Sequence, residues 1–169
     1  MELYFLRHAK AVQRNVRSKM PDGARPLTPE GEEKMRSVAK GINRLGLTFD
    51  LILSSPCIRA RRTAEILAEA LKASDRLKLS SAVAPEADPR ELMRELNRYR
   101  LKLDSIVLVG HEPAFSELIS TLISGGPGTR LDMKKAGLCK LTAASLRYGQ
   151  CATLEWLLTP RQLVLLGRS

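Results

Sequence analysis

The chain contains only two histidines, His8 and His111. Each follows a short apolar run: Leu3–Leu6 and then Arg7 precede His8, and SIVLVG precedes His111. Arg7 stands beside the first histidine, and Arg59 follows a third apolar run, LILS. Two imidazoles and two guanidinium groups make a poor cation site and a good dianion site. Phosphate is the natural dianion, because arginine grips its oxygens through paired hydrogen bonds. One imidazole can attack phosphorus directly as a nucleophile. The arginines would neutralise charge on the transferring oxygens. They would also disfavour imidazolium and keep a lone pair available. No carboxylate cluster or cysteine pair stands near these residues to hold a metal, so this reading carries no metal and no cofactor.

Whether the four residues meet depends on the elements that carry them. Leu3–Leu6 reads as a strand that delivers Arg7 and His8 at its end. Residues 9 to 28 look irregular, with Pro21, Gly23 and Pro26 among them. Thr28 is a helix cap with Pro29 at the first helical position, where proline costs least. Met35, Val38, Ile42 and Leu45 give that helix an apolar stripe. LILS is a strand. Ser55 as cap and Pro56 as first residue open a helix over SPCIRARRTAEILAEAL, and LKLSSAVA is a weak strand. Asp88 with Glu91 three residues on has the pattern of a capping box. Leu92, Leu96, Tyr99 and Leu103 line one face of the helix that follows. Ser105–Val109 is a nearly continuous apolar run, as buried parallel strands are. A helix over 112–124 ends at Gly125, and GLCKLTAAS and ATLEWLLTP read as two strands around the YGQ turn. Strands alternating with helices predict an α/β three-layer sandwich: a mostly parallel sheet flanked by helices, with the last two strands antiparallel at one end. Ligands of such sheets bind outside the carboxyl ends of the strands. Arg7, His8, Ser54, Ser55 and His111 all fall there. Arg59 falls in the first turn of a helix whose free N–H groups also attract anions.

The 169 residues favour one domain over 1–169, large enough to bury roughly 70% of its unfolded surface. No apolar run approaches the ~20 residues needed to span a bilayer. Arg7 interrupts the first apolar run too early for a signal peptide, so no membrane partner is expected. The three cysteines, Cys57, Cys139 and Cys151, lack metal-type spacing and cannot all pair internally. Reduced thiols in a cytoplasmic protein are the simpler reading. The net charge is +10, with basic residues in RNVRSK, RARR, RELMRELNRYRLK and MKK. This balance favours anionic partners (phosphate groups, acidic proteins or nucleic acid) or forms only a solvated basic surface.

Four segments carry a family resemblance. L-R-H-A near the N-terminus resembles the R-H signature of the histidine phosphatase superfamily, also called phosphoglycerate mutase-like. R-P-L-T-P-E-G at 25–31 resembles its L-T-x-x-G segment, and S-S-P-C-I-R-A-R-R-T-A at 54–64 resembles its S-P-x-x-R-A-x-x-T-A motif. V-G-H-E-P at 109–113 resembles its second-histidine motif. A lone R-H is no signal; the ordered set over residues 3 to 113 is a specific one. The short chain, R-H-A and R-P-L-T are most similar to the SixA-type phosphohistidine phosphatase branch. Ala9 stands where much of the superfamily has glycine. The resemblance implies that His8 is the nucleophile, with Arg7, Arg59 and His111 as phosphate-binding and charge-stabilising partners. It implies metal-independent hydrolysis of a phosphohistidine on a protein, such as a signalling protein, or of a phosphomonoester.

Other residues are weighed against this set. Glu86 in A-P-E-A-D-P is the first choice for a general acid, because the family often places its acidic residue after the third strand; a solvated loop carboxylate is the alternative. Asp88 reads better as a cap. Arg25 precedes the L-T-x-x-G segment and either reaches phosphate from the loop or forms a surface ion pair. Arg14, Arg17 and Lys19 lie in a long loop that either steers an acidic substrate protein or is merely solvated. Helical spacing turns Arg61 and Arg62 away from Arg59, and Thr63 suits packing or hydrogen bonding. Rival functions are a small-molecule phosphatase or mutase of the same superfamily, a basic module that binds phosphate without turnover, and a nucleic-acid binder. The last is the least supported. The seven aromatics form no base-stacking platform, and GGPG at 125–128 reads as a helix stop.

The motif position of Arg59 gives a sharp expectation. Arg59→Ala should lower kcat/KM by about a hundredfold, on the order of 3 kcal/mol of transition-state stabilisation. Arg61→Ala and Arg62→Ala should change it little. Equal losses in all three variants would mean that bulk charge, not a placed guanidinium, matters.

Overall fold

The computed structural model describes residues 1–14 and 19–168. They form one sheet of six strands: β1 (Glu2–Arg7), β2 (Leu51–Ser54), β3 (Leu77–Leu79), β4 (Ser105–Gly110), β5 (Leu138–Thr142) and β6 (Thr153–Leu158). Their spatial order is β3-β2-β4-β1-β5-β6. The first four strands run parallel, while β5 runs antiparallel to both β1 and β6. Five α-helices cover it: α1 (Pro29–Arg44), α2 (Ile58–Ala70), α3 (Pro89–Tyr99), α4 (Ala114–Ser124) and α5 (Pro160–Leu166). This is the α/β sandwich that the alternation of strands and helices predicts.

The strand pleat sorts each apolar run onto two faces. Tyr4, Leu6, Ile52, Val107, Val109 and Leu138 point to one side, where Met35, Val38 and Ile42 of α1, Ala64 and Leu67 of α2 and Leu163 of α5 meet them. Leu3, Phe5, Leu51, Leu53, Ile106 and Leu108 point to the other, against Leu92 and Leu96 of α3 and Phe115, Leu118 and Ile119 of α4. Burial on both faces explains why β1 and β4 read as unbroken apolar runs. Five of the aromatic residues meet in this packing, with Trp156 at its edge: Tyr4 lies 5.0 Å from Phe49 and 5.9 Å from Trp156, and Phe5 lies 5.2 Å from Phe115, between ring centres.

The parallel strands end together. In register, Arg7 pairs with Gly110 and Ser54 with Val109. The ladder runs one step further: His8 N–H donates to the Gly110 carbonyl at 3.0 Å, and Ser55 N–H donates to the Val109 carbonyl at 3.0 Å. His8, Ser55 and His111 therefore leave the sheet side by side.

α1 packs against the loop that follows His8. Thr28 caps it by accepting the Gly31 N–H at 3.0 Å, and Thr28 N–H donates to the Lys10 carbonyl at 3.0 Å. A Cβ at Gly31 would sit 2.1 Å from that same carbonyl oxygen, so the glycine of the L-T-x-x-G segment is a close-approach residue. Gly125 closes α4 in the left-handed region at φ 90°, where glycine carries no Cβ penalty.

Several boundaries differ from the sequence reading. α2 begins at Ile58 with Cys57 as its cap residue, not at Ser55 and Pro56. The Ser55 hydroxyl is drawn to His111 and Cys57 N–H instead. LKLSSAVA keeps only Leu77–Leu79 as a strand; Ser81–Val83 turns as a short 3-10 helix because the Ser80 hydroxyl accepts Ala82 N–H at 3.1 Å. Asp88 caps α3 through Arg90 N–H at 2.8 Å, but Glu91 faces Arg94 rather than closing a capping box. α4 starts at Ala114. Leu45 lies beyond α1 and is exposed, and Leu103 lies beyond α3. α5 was not expected; Thr159 and Gln162 form its capping box.

Candidate active site

The strand ends bring Arg7, His8 and His111 to one cleft, and α2 adds Arg59 from its first turn. The cleft encloses about 820 Å³. His8, Arg59 and His111 are almost wholly buried, at 8%, 3% and 2% exposure. The two imidazole rings lie 5.2 Å apart between centres.

The hydrogen bonds of His8 fix its proton. Nδ1–H donates to the Ala9 carbonyl at 2.8 Å. That leaves Nε2 with its lone pair, and Arg59 Nε–H donates to it at 3.3 Å. Ala9 is itself held in place: its N–H donates to Thr63 Oγ1 at 3.1 Å, and Thr63 donates to the Arg59 carbonyl at 2.7 Å. Thr63 thus ties the segment after His8 to the helix that carries Arg59, the hydrogen-bonding role that its spacing suggests.

His111 is built similarly. Its Nε2 meets Ser55 Oγ at 2.8 Å, and Ser55 Oγ accepts Cys57 N–H at 3.3 Å. The serine O–H can donate to Nε2 while its oxygen accepts Cys57 N–H, an arrangement compatible with the His111 proton on Nδ1. His111 Nδ1 is buried and has no hydrogen-bond partner among the described residues, and Arg7 Nε is the same. Both are polar groups of the kind that a phosphoryl oxygen satisfies. Arg7 is anchored by Nη1 to the Met133 carbonyl at 2.6 Å.

Burial is the largest cause that lowers the His8 ring to about 4, and the charges of Arg59, Arg7 and Lys135 add to it against the Ala9 hydrogen bond. Burial likewise leads the lowering of His111 to about 3, helped by His8 and Arg59. Both rings are neutral at physiological pH, so His8 keeps a lone pair on Nε2 there.

Other residues fall less simply. Glu86 is exposed and lines the cleft without a hydrogen bond or ion pair among the described residues. Arg25 also lines the cleft, but its Nε and Nη2 donate to Asp22 Oδ1 at 2.9 and 2.8 Å, and Nη1 donates to the Val12 carbonyl at 2.8 Å. The ion-pair alternative describes this contact. Arg14 lines the cleft and is exposed; Lys19 is exposed; Arg17 lies outside the described residues. Arg61 pairs with Glu65, and Arg62 with Glu32, Glu65 and Glu69, so both face away. Among the described residues no cluster of three or more His, Cys, Asp or Glu side chains is arranged for a metal ion, and no helix is long and apolar enough to cross a membrane.

Sequence reasoning missed Asp22, Ser55 as a histidine partner, and Lys135. Asp22 carries a turn signal in P-D-G, which marks a bend but not what the carboxylate touches. Lys135 belongs to the MKK run. It reaches the cleft because Ala136 N–H and the Gly137 carbonyl bond the backbone of Arg7 at 3.0 and 3.2 Å.

The lowered rings predict a pH signature. At pH 6 both imidazoles should remain neutral in ring-resolved NMR spectra, although an ordinary histidine with a pKa near 6.5 is mostly protonated there. Below about pH 6.5 the unfolded chain binds protons that the folded chain refuses. Stability is therefore full above that pH and falls as the pH drops toward about 4. A His8 ring that titrates near 6.5 would contradict this.

Residues 3–81 match the model of the histidine phosphatase superfamily (branch 1). An uncharacterized protein of Picosynechococcus sp. is 39% identical over 148 residues, 87% of this chain and 88% of that one. A probable phosphoglycerate mutase GpmB of Escherichia coli is 37% identical over 70 residues, which span 41% of this chain and 32% of the mutase. The protein histidine phosphatase SixA, in its complex with tungstate, shares the fold with a TM-score of 0.81 and 22% identity, over 96% of this chain and 99% of that one. The chain belongs to the histidine phosphatase superfamily, with a fold of the SixA type.

Proposed function

We propose that the protein is a metal-independent phosphatase that hydrolyses a phosphohistidine on a protein through a covalent phosphohistidine on His8. The observation that carries this reading is the bonding of His8: Nδ1–H on the Ala9 carbonyl and a lone pair on Nε2 facing the cleft arginine. In the first step Arg59 Nε–H passes from His8 Nε2 to a phosphoryl oxygen, the freed Nε2 lone pair forms a bond to phosphorus, and the bond from phosphorus to the leaving atom breaks with its electron pair. Arg7, Arg59 and His111 hold the three equatorial oxygens. In the second step water attacks phosphorus, the Nε2–P bond breaks, and inorganic phosphate leaves with the proton balance closed by solvent or a cleft carboxylate. Glu86 is the carboxylate that we assign to protonate a basic leaving atom.

A protein substrate fits the lining of the cleft, where the exposed Arg14 and Lys135 add positive charge. It also accords with the likeness to SixA. The free cysteines suit a cytoplasmic setting. Hydrolysis of small phosphomonoesters by the same steps is the competing outcome of the test.

A panel of substrates tests both. A phosphohistidine-bearing protein should be the best substrate, and His8→Ala should abolish turnover of all. Glu86→Gln should slow alkyl phosphates most, barely affect p-nitrophenyl phosphate, and fall between for phosphohistidine, because acid help scales with the basicity of the departing atom. Preference for a small phosphoester would overturn the substrate assignment, and equal losses across the series would remove Glu86 as the acid.

A further inference from the structure

Asp22 bonds two of the cleft arginines at once. Arg59 Nη1 donates to the Asp22 carbonyl oxygen at 2.7 Å, and Nη2 donates to Oδ2 at 2.8 Å. The other carboxylate oxygen, Oδ1, accepts from Arg25 Nε at 2.9 Å and lies 2.8 Å from Arg25 Nη2. Arg25 is in turn held on the Val12 carbonyl. A relay of bonds thus runs from the loop after the nucleophile, through Arg25 and Asp22, to Arg59 and back to His8.

We propose that Asp22 is a positioning residue of the phosphoryl site: it fixes the Arg59 guanidinium beside His8, and its charge keeps the site from retaining inorganic phosphate. The proposal rests on the phosphatase reading above. A guanidinium has five N–H donors. Arg59 directs one to His8 and two to Asp22, which leaves two for phosphoryl oxygens. A planar fork held at Nε and at both Nη groups cannot turn, so its two remaining N–H groups stay aimed, and aim of this kind raises turnover by removing orientational freedom beforehand.

The carboxylate is charged at neutral pH. Burial works to raise it, but the bonds and charges of Arg25 and Arg59 outweigh burial and hold it below the ordinary range. It stands among Arg7, Arg14, Arg25, Arg59 and Lys135, all of which line the same cleft. Without an anion touching the arginines, these cations would bind substrate and product phosphate alike. Uniform binding of that kind does not raise kcat.

Asp22→Asn keeps the shape and one acceptor oxygen and removes the charge. Assayed with p-nitrophenyl phosphate, it should lower kcat about tenfold through the loosened fork. It should also let inorganic phosphate inhibit about tenfold more strongly, because a repelling charge has left a dianion site. Asp22→Ala should lower kcat further. In 1H–15N spectra the Arg59 Nε–H signal, protected in the wild type, should exchange faster in the alanine variant while the rest of the spectrum is kept. Tighter phosphate with an unchanged or raised kcat would overturn the proposal, since Asp22 would then compete with phosphate rather than aim Arg59. Weaker phosphate inhibition or an unmoved Arg59 signal would overturn it as well. If the wild type turned over no phosphosubstrate, the phosphatase reading would fail by itself. Phosphate titration and the Arg59 signal would still decide the role of Asp22.

Discussion

The Nδ1–H of His8 rests on the carbonyl oxygen of Ala9, and the chemistry on the far side of the ring depends on that bond. A neutral imidazole carries one proton, so fixing it at Nδ1 leaves the lone pair on Nε2. Burial and neighbouring guanidinium charge then keep a second proton away. The same surroundings that would make a cationic imidazole costly are those that attract a phosphoryl dianion. On the proposed mechanism, nucleophile activation and substrate binding are thus one electrostatic arrangement seen from two sides, and the requirement is a rigid one: the ring, the carbonyl and the arginine must keep their places together.

The scaffold meets that requirement at the carboxyl ends of β1, β2 and β4. Strand register sets His8, Ser55 and His111 side by side. Thr63 joins the backbone of Ala9 to that of Arg59, so α2 cannot shift without moving the carbonyl that orients the His8 ring. Gly31 lets α1 press on the Lys10 carbonyl from the other side. The superfamily motifs therefore mark positions of close backbone approach as well as chemical groups. Arg59, Thr63 and Ala64 of the second segment illustrate this, because one residue faces the cleft, one bonds across, and one fills the core.

The sequence disclosed the parts of this site that lie on regular elements. Apolar runs with sharp polar ends located β1, β2 and β4, and hence both histidines. Helical spacing separated Arg59 from Arg61 and Arg62, whose partners on the surface bear this out. What stayed hidden came from irregular backbone. Asp22 sits in a turn whose residues predict a bend and nothing of its partners. Ser55 carried the composition of a helix cap, yet tertiary contact with His111 outbid the local signal and moved the start of α2 to Ile58. Arg25 was legible as a residue near the cleft but not as the partner of a carboxylate three positions before it. The short α5 was missed because seven residues offer little periodicity, and only Leu163 is fully buried.

The central claim is that His8 Nε2 accepts the phosphoryl group, and the most direct measurement is the position of phosphate on the enzyme during turnover. The protein is mixed with excess phosphosubstrate, quenched in alkali, where phosphohistidine survives, and mapped by peptide mass spectrometry. Phosphorus–nitrogen correlation NMR then assigns the ring nitrogen. The account predicts one phosphoryl group, on His8, at Nε2. Phosphate on Ser55 or Cys57, on Nδ1 of His8, or on no residue during active turnover would contradict it.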